Sequence, residues 1–152
     1  MSNSERADDS SFVRNRYLST SRDAGSRSEQ EQLLCTVYEF VSDVENGGFQ
    51  QFFHNSSEAG IRELLSHLLT IRAIETRVIL SDALRRAEFE SVQPTKGSES
   101  AESWFRHKTD LELDKFNDRF FSRSENFDVL LSFFLRDRAH TLSKNSGDPL
   151  DQ

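Results

Sequence analysis

Residues 44–55 read Val-Glu-Asn-Gly-Gly-Phe-Gln-Gln-Phe-Phe-His-Asn, and they join a helical pattern to a run of aromatic side chains. The helical pattern begins at Ser28, because Ser28 and Glu31 have the spacing of a capping box. Leucine and valine side chains then recur at helical intervals as far as Val44. The glycine pair that follows ends a helix readily, since glycine adopts left-handed backbone conformations without steric cost. The sequence therefore predicts that the first helix stops at residues 46–48.

Three phenylalanines come directly after the glycines. Phe49, Phe52 and Phe53 are separated by the intervals of one helical turn, so their rings can turn toward the same side of the chain. We expect all three rings to enter the core, which would make residues 44–55 a tight corner between two helical segments.

Neutral polar side chains bracket those rings, namely Asn46, Gln51 and Asn55. A buried amide without a hydrogen bond costs about 1–3 kcal/mol, so each of these groups needs a partner. Two interpretations stay open. The corner is structural, with the amides binding exposed backbone groups at the helix ends, or it forms a small polar pocket roofed by aromatic rings.

The rest of the chain shows further helical patterns and no alternation of apolar and polar residues of the kind that marks a strand. The predicted fold is all-α, a single compact domain of about five or six helices. Thirteen phenylalanines make its core Phe-rich. The predicted core side chains of the later helices include Ile61, Leu64, Leu68, Ile74, Val78, Ile79, Leu113, Phe116, Phe120, Phe121, Phe127 and Leu131.

The two ends of the chain have few large apolar side chains. Residues 1–28 contain eight serines and scattered charges, and such a composition does not offset the entropy of ordering a chain. We therefore expect a flexible N-terminal arm over 1–28, with at most one short helix near 10–20. The helical domain then spans 29–142, and residues 143–152 form a frayed C-terminal tail.

Charge and composition exclude several classes of protein. The net charge is −7 over 152 residues, which argues against direct nucleic-acid binding because that requires a basic face. The acidity is concentrated in residues 29–91, with eleven acidic and five basic side chains. Apolar runs are too short to span a membrane, and the N-terminus does not resemble a secretory signal. A single cysteine fits a reducing compartment, so we expect a cytoplasmic protein.

Signals for catalysis or metal binding are weak. Cys35 lies beside the apolar stripe of the first helix, which is typical of a semi-buried, unreactive thiol. Glu63 and His67 have the spacing of two ligands on one helical turn, but a zinc or di-iron site needs three or four converging ligands. The sequence predicts no cofactor, no metal and no catalytic residue, and we expect a non-enzymatic protein.

Acidic side chains recur at helical spacing on two of the predicted helices. Like charges four residues apart repel by a few tenths of a kcal/mol. Such a row is either a solvated face, a surface for a basic partner, or a carboxylate pair for acid–base chemistry. The candidate acidic partner-binding face comprises Glu31, Glu39, Asp43, Glu45, Asp110, Asp114 and Asp118.

The corner carries a resemblance to a known family. Its motif residues are Asn46, Gly47, Gly48, Phe49, Gln51, Phe52, Phe53 and Asn55. They resemble the signature of a bacterial family of small helical domains, long labelled as of unknown function, which includes a domain of a DNA-mimic protein. Weaker similarity extends the resemblance over about residues 30–138, and the family often has glycine where this chain has Arg72.

The resemblance implies an all-helical, intracellular domain. For the DNA-mimic member it also implies a dimer whose surface carboxylates imitate DNA phosphates and occupy a DNA-binding protein. We therefore expect an acidic interaction protein that binds a basic or DNA-binding protein, with no direct contact to nucleic acid or membrane. A homodimer is compatible with this expectation. The alternative is a small-ligand-binding or enzymatic domain with its site at the corner of residues 46–55.

Overall fold

The structure, a computed structural model, describes residues 3–22, 25–91 and 110–145, with side chains over 4–22, 25–87 and 112–139. Its residues sort into two compact units. Unit 1 combines Met1–Cys35 with Asn126–Gln152, and unit 2 is Thr36–Glu125.

The described residues form helices and contain no strand, which confirms the predicted all-α fold. None of the described helices is long and apolar enough to cross a membrane. The helices are α1 (Asn3–Arg22), α2 (Glu29–Asn55), α3 (Glu58–Thr70), α4 (Ile74–Ser91), α5 (Asp110–Ser122) and α6 (Phe127–Asn145).

Polar side chains cap the N-termini of three helices. At the start of α2, the Ser28 N–H donates to Glu31 Oε2 (2.9 Å) and the Glu31 N–H donates to Ser28 Oγ (3.3 Å), so the predicted capping box is confirmed. The Ser28 N–H and the Ser28 hydroxyl both donate to the Glu31 carboxylate, and these two hydrogen bonds lower the pKa of Glu31. Ser57 caps α3 by accepting the Gly60 N–H. At α6 the cap is Asn126, which accepts the Val129 N–H.

A left-handed residue separates α3 from α4. Arg72 has φ of 63°, a conformation that an L-residue other than glycine adopts only at a steric cost. The backbone N–H of Ala73 donates to the Leu68 carbonyl (2.8 Å), so the end of α3 is closed by a hydrogen bond across this residue. The break between α3 and α4 therefore forms at Arg72, a position where the family that this chain resembles often has glycine.

Phenyl rings fill the core of unit 2. Phe40 of α2 lies 4.8 Å from Phe52 and 5.6 Å from Phe120, measured between ring centroids, and both pairs are edge-to-face. Phe49 lies 6.0 Å from Phe120 in the same arrangement. Each pair of this kind adds about 0.5–1.5 kcal/mol beyond the burial of its area. The predicted Phe-rich core is confirmed, and it joins α2 to α5.

Three predicted core side chains are exposed instead. Ile74 and Val78 of α4 are about half exposed, at 49% and 47%, and Phe121 of α5 is 59% exposed. In α4 the buried side is formed by Ile79, Leu80 and Ala83, so the prediction is confirmed for Ile79 and wrong for Ile74 and Val78, which lie beside the buried side of the helix. In α5, Phe120 already occupies the core position, and the adjacent ring is turned outward by about 100° of helical rotation.

Unit 1 contains the largest departure from the sequence prediction. Where a flexible arm over 1–28 was expected, α1 is a 20-residue helix that packs against α6. Its buried side carries Val13 together with the polar side chains of Asp9 and Thr20. A buried side that mixes polar and apolar residues produces no amphipathic pattern, so hydrophobic periodicity does not detect this helix.

A buried carboxylate ties α1 to α6. Asp9 Oδ1 accepts a hydrogen bond from the Ser132 hydroxyl (2.7 Å) and lies 3.2 Å from Arg136 Nη1. The same arginine pairs with Asp8, whose side chain is 75% exposed. Polar contacts therefore hold α1 against α6, where the sequence of α1 offers no hydrophobic stripe to do so.

The expected chain divisions differ from the two units. The predicted helical domain spans 29–142, whereas unit 2 begins at Thr36, within α2, and ends at Glu125. The predicted tail of 143–152 overlaps the end of α6 at Asn145, and residues 146–152 lie outside the described residues.

Replacing Asp9 with alanine should destabilise unit 1. The change leaves the buried Ser132 hydroxyl without its acceptor, at a cost of about 1–3 kcal/mol. Asp8→Ala is the matched control, because it removes an exposed partner of the same Arg136 and should cost at most about 1 kcal/mol. Hydrogen exchange of the α1 and α6 amides, with denaturant unfolding, measures both. Equal effects of the two variants would contradict the role assigned to Asp9.

Candidate functional site

The corner breaks α2 into two arms, residues 29–46 and 49–55. Gly47 has φ −150° and ψ 17°, and Gly48 has φ 70° and ψ −174°. The conformation of Gly48 is essentially restricted to glycine. A Cβ at Gly48 would also lie 2.6 Å from the side-chain nitrogen of Asn117. The prediction that the first helix stops at this point is therefore confirmed, and Gly48 is the residue that requires glycine.

The three rings after the break enter the core as predicted. Phe49 is fully buried, and Phe52 and Phe53 are at most 5% exposed. Phe49 contacts Phe116 and Phe120 of α5 through edge-to-face pairs. The rings are therefore packed against other side chains of unit 2, and they form core rather than the roof of an open pocket.

The amides of the corner bind a carboxylate rather than the helix-end backbone groups that we expected. Gln51 Nε2 donates to Asp43 Oδ1 (3.1 Å), and Asn55 Nδ2 donates to the same oxygen (3.0 Å). Asn46 instead donates to the Ser42 hydroxyl (3.2 Å). Asp43 therefore fastens the second arm of α2 to the first, which supports the structural interpretation of these amides.

Asn117 of α5 completes the corner, and it was not among the candidate site residues. Its Oδ1 accepts the backbone N–H of Phe49 (2.9 Å), the second N–H after the Gly47 break. Such an N–H has no helical partner because the preceding turn is missing. Its Nδ2 lies 3.4 Å from Asp114. An asparagine in the middle of a helix is the signal that could have drawn attention to it, since its amide usually serves a specific hydrogen bond there.

The residues of the predicted acidic face have different roles in the structure and do not form one group. Glu31 belongs to unit 1 and serves the capping box, Asp43 serves the corner, and the side chain of Asp110 lies outside the described residues. Within the part of the chain that the structure describes, the other members are exposed and form no ion pair. They are Glu39, Glu45, Asp114 and Asp118.

The exposed carboxylates do not all lie on one side of their helices. Asp114 and Asp118 are one turn apart on α5 and share its outer side. On α2, Glu45 lies about 200° around the helix from Asp43, which itself shares a side with Glu39. The structure therefore brings Asp114 and Asp118 together and separates Glu45 from Glu39.

Glu45 influences a half-buried cation. The Arg123 guanidinium lies 3.7 Å from the centroid of the Phe120 ring and donates to the Phe120 carbonyl. Burial lowers the pKa of Arg123, and the nearby carboxylates of Glu45, Glu125 and Glu75 raise it. The last two carboxylates were not among the sequence candidates.

The carboxylates of Glu75 and Glu125 each accept hydrogen bonds from the chain segment that contains the other residue. The Glu125 carboxylate accepts the backbone N–H groups of Glu75 (2.6 Å) and Thr76 (2.9 Å) at the start of α4. The Glu75 carboxylate accepts the N–H (3.1 Å) and the hydroxyl (2.8 Å) of Ser124. These contacts join residues about fifty positions apart, and they engage Ser124 while Asn126 caps α6. Both carboxylates are structural.

The candidates for metal and thiol chemistry are Glu63, His67 and Cys35. Among them, no group of three or more His, Cys, Asp or Glu side chains is arranged to hold a metal ion. His67 Nε2 lies 3.8 Å from Glu63, and burial lowers the pKa of His67. Cys35 is buried and forms no disulfide.

Replacing Gly48 with alanine should cost about 1–3 kcal/mol of unfolding free energy, since the side chain would occupy a glycine-only conformation. The matched control is Gly25→Ala, because a Cβ at Gly25 meets nothing within 4 Å and should change stability by at most about 0.5 kcal/mol. The denaturant midpoint reports both effects. If the two variants have the same midpoint, the corner does not depend on the Gly48 conformation.

Replacing Gln51 with alanine separates the two interpretations of the corner. The change removes a hydrogen bond to the Asp43 carboxylate and should cost about 1–2 kcal/mol. Its control is Gln50→Ala, at an exposed neighbouring position, which should be close to neutral. Thermal unfolding of both variants, with and without a library of small metabolites, is the measurement. Unchanged stability of Gln51→Ala together with loss of a bound metabolite would instead support a ligand site.

A family model described as DMP19-like protein matches residues 26–138. That range contains the corner at 44–55 and all of α2 and α5, the two helices that build it. Neither a curated protein nor a solved structure matches the chain. Because the family model covers well over half of the sequence, the chain belongs to the DMP19-like protein family.

Proposed function

We propose that this protein is a non-enzymatic interaction protein that uses exposed carboxylates of unit 2 to bind a basic protein partner. The finer form of the proposal is DNA mimicry, in which these carboxylates occupy the DNA-binding surface of that partner. Membership of the DMP19-like family supports the proposal. Since a fold does not carry its function with it, the argument depends on the surface of this chain.

The observation that carries the proposal is the way unit 2 uses its charges. Several of its arginines are engaged within the unit, because Arg62 pairs with Glu58, Arg119 with Asp82, and Arg86 with Glu112. The carboxylates of Glu39, Glu45, Asp114 and Asp118 remain exposed, and in the described parts of the chain they form no ion pair.

The outer side of α5 is the strongest candidate for the contact. Asp114 and Asp118 are separated by four residues, which places them about 6 Å apart along the helix axis. Duplex DNA carries one negative charge per roughly 1.7 Å of its axis, so α5 alone presents a fraction of the DNA charge density. A surface of this kind attracts a basic partner over a distance and sets the salt dependence of binding, while additional contacts must supply specificity.

The alternative of a ligand site at the corner has less support. Its rings are buried in the core and two of its amides are bound to Asp43. We accordingly propose a protein partner, without direct binding to nucleic acid or membrane, a cytoplasmic location, and no catalytic activity. A homodimer is compatible with this proposal.

Neutralising the α5 carboxylates should weaken partner binding. We expect immobilised protein to retain a basic, DNA-binding protein from cell extract at low salt, and duplex DNA to displace it. Retention should fall by about tenfold or more in the double variant Asp114→Asn/Asp118→Asn, because the attraction depends on these charges. Mass spectrometry and a salt series on the purified partner measure the effect.

The matched control is Glu58→Gln/Glu63→Gln, which removes the same number of charges from exposed positions of α3. It should retain the partner almost unchanged. If no basic protein is retained at low salt, or if both double variants lose it equally, the proposed acidic surface is wrong. If the partner is retained but duplex DNA does not displace it, the interaction stands and the mimicry does not.

A further inference from the structure

A cleft with a positive lining lies between α4 and α5 in unit 2. Its volume is about 510 Å³, which falls within the range of about 300–1,000 Å³ typical of small-molecule sites. Its lining consists of Asp82, Arg85 and Arg86 from α4 and Lys115, Phe116 and Arg119 from α5. Neither the acidic surface nor the corner accounts for this concentration of cations in a protein of net charge −7.

Two guanidinium groups of the cleft share one carboxylate among the described residues. The Asp82 carboxylate is shared, since Arg119 Nη1 lies 2.9 Å from Oδ2 and Arg85 Nη1 lies 3.7 Å from Oδ1. Arg86 pairs with Glu112. Among the described residues, Arg85, Arg119 and Lys115 therefore have a single carboxylate, that of Asp82, within ion-pair distance, which leaves an excess of two positive charges among these three cations. If these side chains served only internal pairing, one cation for each carboxylate would suffice.

The shared carboxylate places two guanidinium groups beside each other. Each guanidinium has five N–H donors, and Asp82 uses only part of those of Arg85 and Arg119. Paired planar donors of this kind bind phosphate oxygens well. Asp82 thus acts as a positioning residue, since it hydrogen-bonds Arg119 and attracts Arg85 to the same side of the cleft without neutralising both.

Lys115 supplies a further cation next to an apolar wall. Its ammonium lies 5.0 Å from the centroid of the Phe116 ring, and Arg119 lies 5.8 Å from the same centroid. Among the described residues, Lys115 forms no ion pair with a carboxylate. A low-dielectric wall beside like charges focuses their potential, which strengthens the attraction for an anion that enters the cleft.

We propose that this cleft binds a small molecule that carries a diphosphate group. A multivalent anion matches the excess of two positive charges, and a single phosphate is small for a cleft of about 510 Å³. The diphosphate lies against Arg85, Arg119 and Lys115, and the rest of the ligand occupies the remaining volume of the cleft. This inference is independent of the acidic surface, because it uses other residues and a ligand of the opposite charge.

Calorimetric titration of the full chain with inorganic pyrophosphate and with ADP tests the proposal. The two probes share the diphosphate and differ in whether an organic part is present. We expect at least one of them to bind at low ionic strength. Tighter binding of ADP identifies an organic diphosphate as the ligand, and equal or tighter binding of pyrophosphate identifies the inorganic anion.

The charge-reversal variant Lys115→Glu should weaken binding of the probe by about tenfold or more, since it replaces an attractive charge in the cleft with a repulsive one. Arg62→Glu is the matched control, because it makes the same charge change at an exposed position of α3 outside the lining of the cleft. It should bind like the unmodified protein. Lys115→Ala, which adds no repulsion, should give an intermediate affinity.

Three results would overturn the proposal. One is the absence of binding of both probes at millimolar concentration to the unmodified protein. Another is equal affinity of Lys115→Glu and Arg62→Glu, with circular dichroism showing both to be folded, because the attraction would then be a property of total charge. The last is binding of duplex DNA but of neither small probe, which would assign the cleft to a nucleic acid.

Discussion

The hydrogen bond from the Phe49 backbone to the Asn117 side chain is the contact on which the architecture of unit 2 depends. Gly48 bends α2 into a conformation that leaves the next backbone N–H groups without helical partners, and Asn117 accepts one of them from α5. The same bend directs the rings that follow it into the core, where they meet Phe116 and Phe120. One polar contact and a cluster of phenyl rings therefore fix α5 against both arms of α2, and the positions of Asp114 and Asp118 follow from that placement.

The role of each charged side chain in unit 2 depends on where the side chain lies, and the total charge of the protein does not predict it. Some carboxylates are structural, as Asp43 is at the corner and Glu125 is at the start of α4. Others stay exposed on α2 and α5, where we propose that they meet a basic partner. Several cationic side chains lie instead between α4 and α5, where Asp82 pairs with both Arg85 and Arg119. A net charge of −7 describes neither surface, because the two carry opposite signs.

Features that depend on local sequence could be predicted, and those that depend on distant contacts could not. The capping box at Ser28, the break at the glycine pair and the inward turn of Phe49 each follow from a few neighbouring residues. The partner of the corner amides could not be foreseen, because Asp43 becomes accessible to them only once the chain has turned. Asn117 is 68 positions away from Phe49, and α1 is held by a buried Asp9 that hydrophobic periodicity does not detect. The exposure of Phe121 depends on which of two adjacent rings enters the core.

Native-state hydrogen exchange at the amide of Phe49 tests the central contact most directly. The contact predicts strong protection of this amide in the unmodified protein, comparable to that of amides within the second arm of α2. It also predicts that Asn117→Ala abolishes the protection at Phe49 while the amides of Ile79 and Leu80 in α4 keep theirs. Exchange of the Phe49 amide at the rate of an unprotected peptide group, in otherwise folded protein, would show that α5 does not hold the corner in this way.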